Sequence, residues 1–177
     1  MTNAHFQLEY PSLEKSNLAW STPIWSDEFI IKFDIRIDVE LTQTLNILHV
    51  CPESKTADDC EWGHGYPSVY AGTDNSLIIF MKVNDIMMPQ FSVVYDYILN
   101  KSYHIEISQK KNSNGEAVYT IIVDGTTFEE VINTTPHIFQ NATLYLSDPW
   151  YTSFAPHGNV SNLRIINGGK SLIVTKG

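Results

Sequence analysis

The chain has 177 residues and a formal net charge of −9, from 11 Lys and Arg against 20 Asp and Glu. Hydrophobic residues make up 43% and aromatics 12%, which is enough for one packed core and excludes a natively unfolded chain. The acidity and the lack of any basic stripe exclude a nucleic-acid binder, which needs cations to displace counterions, and no apolar run reaches the roughly 18 residues of a membrane span.

Residues 1 to about 27 read as irregular, punctuated by Pro11 and Pro23, with Trp20 and Trp25 tucked against the edge of a folded body. From Phe29 the pattern is strictly period two. Phe29, Ile31, Phe33, Ile35, Ile37 and Val39 share one face, and Lys32, Asp34, Arg36, Asp38 and Glu40 the other, as in a half-buried strand. Leu45 to Val50 is a second strand, and Cys51 and Cys60 then enclose a polar loop. Tyr66 to Tyr70 is a short strand with Pro67 at its start, where a missing donor does little harm. Thr73 to Ser76 is turn chemistry, and Ser76 to Val83, apolar on both faces, is a central strand.

Phe91 to Tyr95 and Lys101 to Lys110 follow as strands, the latter with Tyr103, Ile105 and Ile107 inward. Lys111 to Glu116 is a hairpin loop leading into Ala117 to Val123, and Asp124-Gly125 is a strong local hairpin signal. Phe128 to Ile132 continues the meander. Strands over about 142–147 and 159–166 close it, before a tail ordered through Leu172-Ile173-Val174. No segment carries a helical apolar stripe over three turns, so helix should be minimal, and many short strands make a sandwich or barrel. Without repeats or a low-complexity linker, residues 1–177 read as one domain with a core over about 20–168.

Near the C-terminus, Ala142-Thr143-Leu144-Tyr145-Leu146-Ser147-Asp148-Pro149-Trp150-Tyr151 runs a strand into a corner, and Gly158-Asn159-Val160-Ser161-Asn162-Leu163-Arg164-Ile165 launches another. With Tyr119 to Gly125, Ile105 to Gln109 and Phe29 to Ile35, these stretches resemble the laminin-G-like, concanavalin A-like lectin modules of animal extracellular proteins, over roughly residues 20 to 168. The resemblance implies an all-β jelly-roll sandwich of two antiparallel sheets, with the N- and C-terminal strands close together. It also implies a non-catalytic extracellular binding or adhesion module, with carbohydrate or a glycoprotein as the partner. A glycan-inert structural or protein-interaction domain of a larger secreted protein is the alternative. Modules of this kind often hold Ca²⁺ at the sandwich rim, which makes Asp74 and Asp148 candidate ligands. The competing reading of Asp148-Pro149-Trp150 is structural, with Asp148 in an Asx turn and Trp150 capping the open end.

The most site-like segment is Trp62-Gly63-His64-Gly65-Tyr66, where glycines bring the backbone close to a partner and aromatic faces can stack on a sugar. A second loop, with Asp148, Trp150, Tyr151 and His157, combines aromatics, glycine and a histidine in the same way. Both are expected on one rim, with a sheet face as the fallback location. Asp34, Asp38 and Glu40 on one strand face would suit a glycoside hydrolase or lyase, but Lys32 and Arg36 interleave with them as on a solvated face. His49 and His104 sit at strand positions and read as structural. Two cysteines are too few for a disulfide scaffold, so Cys51 and Cys60 either form one loop-closing disulfide or stay reduced on neighbouring strands. Sequons at Asn100, Asn133, Asn141 and Asn159 agree with secretion; the N-terminus lacks the basic and apolar parts of a leader, so the protein either stays inside the cell or starts after a removed leader, and the second is the expectation.

Overall fold

Alternating apolar residues fold the chain into two six-stranded antiparallel sheets, whose apolar faces meet. A computed structural model describes residues 17–52, 67–86, 92–146, 158–168 and 170–172, and no helix occurs among them. The strands are β1 (Asn17–Trp25), β2 (Phe29–Ile37), β3 (Leu45–Pro52), β4 (Ser68–Ala71), β5 (Ser76–Phe80) and β6 (Ser92–Asp96). They continue as β7 (Ser102–Lys111), β8 (Ala117–Val123), β9 (Thr126–Asn133), β10 (Phe139–Leu146), β11 (Gly158–Asn167) and β12 (Lys170–Leu172). One sheet, here sheet A, has the order β1-β10-β3-β4-β5-β6, and the other, sheet B, the order β12-β11-β2-β7-β8-β9.

The period-two strands bury the faces their sequence dictates. Phe29, Ile31, Phe33, Ile35 and Ile37 of β2 point into the sandwich with Ile105 and Ile107 of β7 and Tyr119 and Ile121 of β8. Leu45, Ile47, Leu48 and Val50 of β3, Leu77 and Ile79 of β5, and Leu144 and Leu146 of β10 answer them from sheet A. Each such fully buried aliphatic or aromatic side chain stabilises the fold by about 1.5–3 kcal/mol. Aromatics close both open sides. Trp20, Trp25 and Phe29 stack in series at 5.9 and 5.2 Å between ring centroids, and Tyr95 meets both Tyr103 and Phe128 edge-on at 5.4 and 5.3 Å.

Turn chemistry sets the register. Asp124 and Gly125 adopt φ of 49° and 78°, the left-handed pair of a two-residue hairpin between β8 and β9. A Cβ at Gly158 would lie 2.2 Å from the Arg36 carbonyl oxygen, so only glycine lets β11 start this close to β2.

Of the strand boundaries that differ from the sequence expectation, three have a plain physical reason. The segment read as irregular up to about residue 27 contains β1, an edge strand that tolerates Pro23 because an edge leaves some N–H groups unpaired anyway. The run from Phe29 stops at Ile37, where its partners end, with Gly158 opposite Ile37 and Ser102 opposite Arg36. Val39 is consequently exposed and Glu40 lies outside the strand. The apolar run from Ser76 ends as a strand at Phe80, where pairing with both β4 and β6 stops.

Candidate functional site

The outer faces of the two sheets differ in chemistry. On sheet B the outward side chains of β2 and β7 are charged and neutralise one another. Lys32 Nζ lies 2.5 Å from Glu106, which also takes Lys110 at 3.1 Å, while Arg36 pairs with Asp38 at 2.7 Å. Asp34 receives His104 Nδ1 at 2.6 Å through one oxygen and the Asn162 amide through the other. Burial pushes the Glu106 carboxyl up, but hydrogen bonds and charge from Lys32 and Lys110 outweigh it and hold the group below its usual range. Asp34 and Asp38, the carboxylates that would suit glycoside hydrolysis, are thus engaged with their own neighbours on a solvated face.

On sheet A the outer face carries neutral polar and aromatic groups. Because Leu45, Ile47, Val50, Leu144 and Leu146 point inward, Asn46, His49, Thr143 and Tyr145 point outward. The pairing register sets Ser21 beside Thr143 and Thr143 beside Cys51, with Tyr145 beside His49 and His49 beside Ser68. His49 and Ser68 are fully buried, and their Nδ1 to Oγ distance is 3.5 Å, a packing contact rather than a nucleophile–base pair open to substrate.

Over β1 and β10 this face opens into a depression of about 350 Å³, lined by Ser21, Thr22, Pro23, Asn141, Ala142, Thr143 and Tyr145. None of these described lining residues carries a charged side chain. Ser21, Pro23 and Asn141 are exposed at its mouth, Tyr145 is half-buried, and Thr143 and Ala142 form its floor. Thr22 is occupied locally, its Oγ1 donating to the Ile24 carbonyl at 2.8 Å. Asn141 has φ 51° and falls opposite Pro23, between the pairs Thr22–Ala142 and Ile24–Gln140. Asparagine adopts this left-handed geometry more readily than most residues.

Trp62, His64, Tyr66, Asp148, Trp150, Tyr151, His157 and Cys60 lie outside the described residues. Cys51 is buried on β3 next to Thr143. Asp74 sits in the β4–β5 turn, where its Oδ1 accepts from both the backbone N–H and the hydroxyl of Ser76, bonds that hold its carboxyl below the usual range. No group of three His, Cys, Asp or Glu side chains among the described residues is placed to hold a metal ion, and Asp148, the other candidate calcium ligand, lies outside them. The sequons split: Asn100 and Asn141 are exposed and Asn159 is half-buried. Asn133 is buried, and its Nδ2 donates to Gln109 Oε1 at 2.6 Å. Of the depression's lining, only Asn141 was singled out by the sequence, as a sequon. The outward alternation of Asn141, Thr143 and Tyr145 along β10 is the signal that could have located the rest.

No protein-family model matches the chain, and no curated protein matches it. Solved structures do resemble it. The native heptameric SAP-like pentraxin from Limulus polyphemus is 13% identical with a TM-score of 0.55, the match covering 87% of this chain and 73% of the pentraxin. The Trypanosoma rangeli sialidase in complex with sialic acid is 16% identical with a TM-score of 0.52, over 82% of this chain and 21% of the sialidase. The receptor binding domain of botulinum neurotoxin type G is 15% identical with a TM-score of 0.54, over 97% of this chain and 43% of that domain. The chain therefore spans only a fifth of the sialidase and under half of the toxin domain. These likenesses establish the fold, a concanavalin A-like jelly-roll sandwich.

Proposed function

We propose that this protein is a non-catalytic, extracellular binding module that recognises carbohydrate in the depression over β1 and β10. The observation that carries the reading is the chemistry of that lining. Ser21, Asn141 and Thr143 offer neutral hydroxyl and amide groups suited to sugar hydroxyls, and Tyr145 offers a ring face, with no charge to desolvate among the described lining residues. A stacked ring contributes about 0.5–1.5 kcal/mol and each net hydrogen bond a similar amount, so one site of this size binds a monosaccharide weakly. Affinity would then come from several copies meeting a multivalent surface.

Two of the similar structures support the reading, one a receptor binding domain and one a sialidase complexed with sialic acid. Secretion is part of the proposal, supported by the exposed sequons at Asn100 and Asn141 and by the lack of a free cysteine among the described residues. The narrower laminin-G-like assignment rests on the sequence motifs alone. The paired carboxylates on sheet B favour the non-catalytic role over glycoside hydrolysis.

A glycan array probed with the multimerised protein, with and without a chelator, tests this. Binding to a defined set of glycans supports it, and uniform silence across diverse sugars returns the protein to the alternative, a structural domain of a larger secreted protein. Loss of binding in the chelator would assign a Ca²⁺ ion to the site.

A further inference from the structure

We propose that Asn141 is a glycosylation switch for the depression. Unmodified, its amide forms part of the sugar-binding mouth; carrying an N-linked glycan, it fills the depression with the protein's own sugar and shuts out external ligand. The inference rests on the carbohydrate reading above.

Asn141-Ala142-Thr143 is a sequon lying within a strand. Residues two apart in a strand share a face, so the acceptor amide and the sequon hydroxyl both fall on the face that forms the depression, and both line it. Asn141 is exposed at the mouth and Thr143 lies in the floor. The left-handed backbone at Asn141, with φ 51°, sits opposite Pro23, which has no N–H to give the ladder.

The other three sequons stand elsewhere. Asn133 is buried against Gln109, Asn100 lies in the turn between β6 and β7, and Asn159 is on β11 opposite Arg36, on the sheet B side. None of them lines the depression. Modification at Asn100 or Asn159 leaves it open, and modification at Asn141 does not.

The attachment itself is a group transfer. The Asn141 amide nitrogen displaces a polyprenyl pyrophosphate from C1 of the first N-acetylglucosamine of a lipid-linked oligosaccharide. The N–C1 bond forms, the C1–O bond to the pyrophosphate breaks, and one amide proton is lost. A volume of about 350 Å³ is at the low end of the range for small-molecule sites, so the first sugars of an attached chain occupy most of it.

The test compares two preparations on the same glycan array. One comes from a bacterial cytosol, which attaches no such glycan. The other comes from eukaryotic secretory cells as the double variant Asn100→Gln/Asn159→Gln, with Asn141 occupancy read by peptide mass mapping. Bacterial protein carrying the same two substitutions is the reference. The expected result is an occupied Asn141 with array binding at least about tenfold weaker than the reference. Equal binding with Asn141 occupied overturns the proposal, as does an Asn141 left unmodified. A reference preparation silent on every glycan overturns the carbohydrate reading itself and the switch with it.

Discussion

Asn133 Nδ2 donates to Gln109 Oε1 at 2.6 Å, and both side chains are buried. The pair ties four segments together. Gln109 Nε2 donates to the Asp27 carbonyl at 2.6 Å, in the turn between β1 and β2. Asn133 Oδ1 accepts from the backbone N–H groups of Asn84 and Thr135, both at 3.1 Å. Buried amides cost least when every donor and acceptor is met, and this pair meets most of its capacity. Removing one partner strands the other. Asn133→Ala is expected to lower stability by about 2–3 kcal/mol in urea unfolding. Asn141→Ala, at an exposed site, should cost well under about 1 kcal/mol, and equal losses at the two positions would contradict the assignment. For the same reason the folded protein, expressed through eukaryotic secretory cells, should carry no glycan on Asn133.

Tyr119 presents the opposite case. Its ring is completely buried at the centre of β8 and its hydroxyl has no hydrogen-bond partner. Burial pushes the phenol far above its ordinary value of 10.0, and the nearby Glu129 charge adds to the effect. Tyr119→Phe removes an unmet polar atom and keeps the packing, so it should leave stability unchanged or raise it by about 1 kcal/mol. The sign of the pH effect follows. Above pH 10 the unfolded chain loses this proton and the folded one keeps it, so the wild type loses stability there and the variant loses less. Thermal melts at pH 7 and 10.5 measure both effects, and a clearly destabilised Tyr119→Phe at pH 7 would refute the account.

Glu106 is the hub of the sheet B charges, half-covered between Lys32 and Lys110. Its carboxyl is held below its ordinary value of 4.5, so its contribution is fully present above that pH and is lost as pH falls through the lower, folded value. Glu106→Gln should therefore destabilise the protein at pH 7 by about 1 kcal/mol or less, given partial exposure. The gap between variant and wild type should close toward pH 3. Urea midpoints measured from pH 3 to pH 7 check this, and a gap that stays constant over that range rules it out.

The sandwich was legible because burial on one face writes itself as a period of two. β2 and β8 carry it without interruption and β7 as far as Ile107, and Asp124-Gly125 marks its turn by backbone chemistry alone. β1 was not legible, because Pro23 interrupts its sequence and only its position at the edge makes that proline harmless. The depression was hidden for a different reason. Ser21 and Thr143 are neighbours only because β1 pairs with β10, and no local pattern encodes a pairing across so much chain. His104 likewise reads as an ordinary strand histidine until the β2–β7 register places Asp34 beside it.

Cys51 is buried on β3, opposite Thr143, so a bond to Cys60 would fasten the 52–59 loop next to the floor of the depression. Closing a loop of this length contributes about 2–3 kcal/mol in the chain-entropy model. We expect intact mass spectrometry of natively expressed protein to show no alkylated thiol before reduction and two after. Two thiols alkylated without reduction would place the native protein in a reducing compartment.

The location of the binding surface can be decided by setting two aromatic groups against each other. Tyr145 projects from a rigid strand into the depression, flanked by Thr143 and Ser21. Trp62 and Tyr66 belong to the loop that the sequence favours. A ring stacked on a sugar is worth about 1 kcal/mol, and its removal with an adjoining hydrogen bond costs about tenfold in affinity. Tyr145→Ala should therefore weaken glycan binding by about tenfold, while Trp62→Ala and Tyr66→Ala stay within about twofold of the wild type. Tyr145→Phe keeps the ring and separates stacking from hydrogen bonding, since binding retained in Phe and lost in Ala assigns the contribution to the face of the ring. Tyr145 is half-buried on β10, so coincident circular dichroism and melting curves are needed to show that the variants share one fold. The reverse order of effects, with Trp62 and Tyr66 sensitive and Tyr145 silent, would move the site from the sheet face to the loop rim.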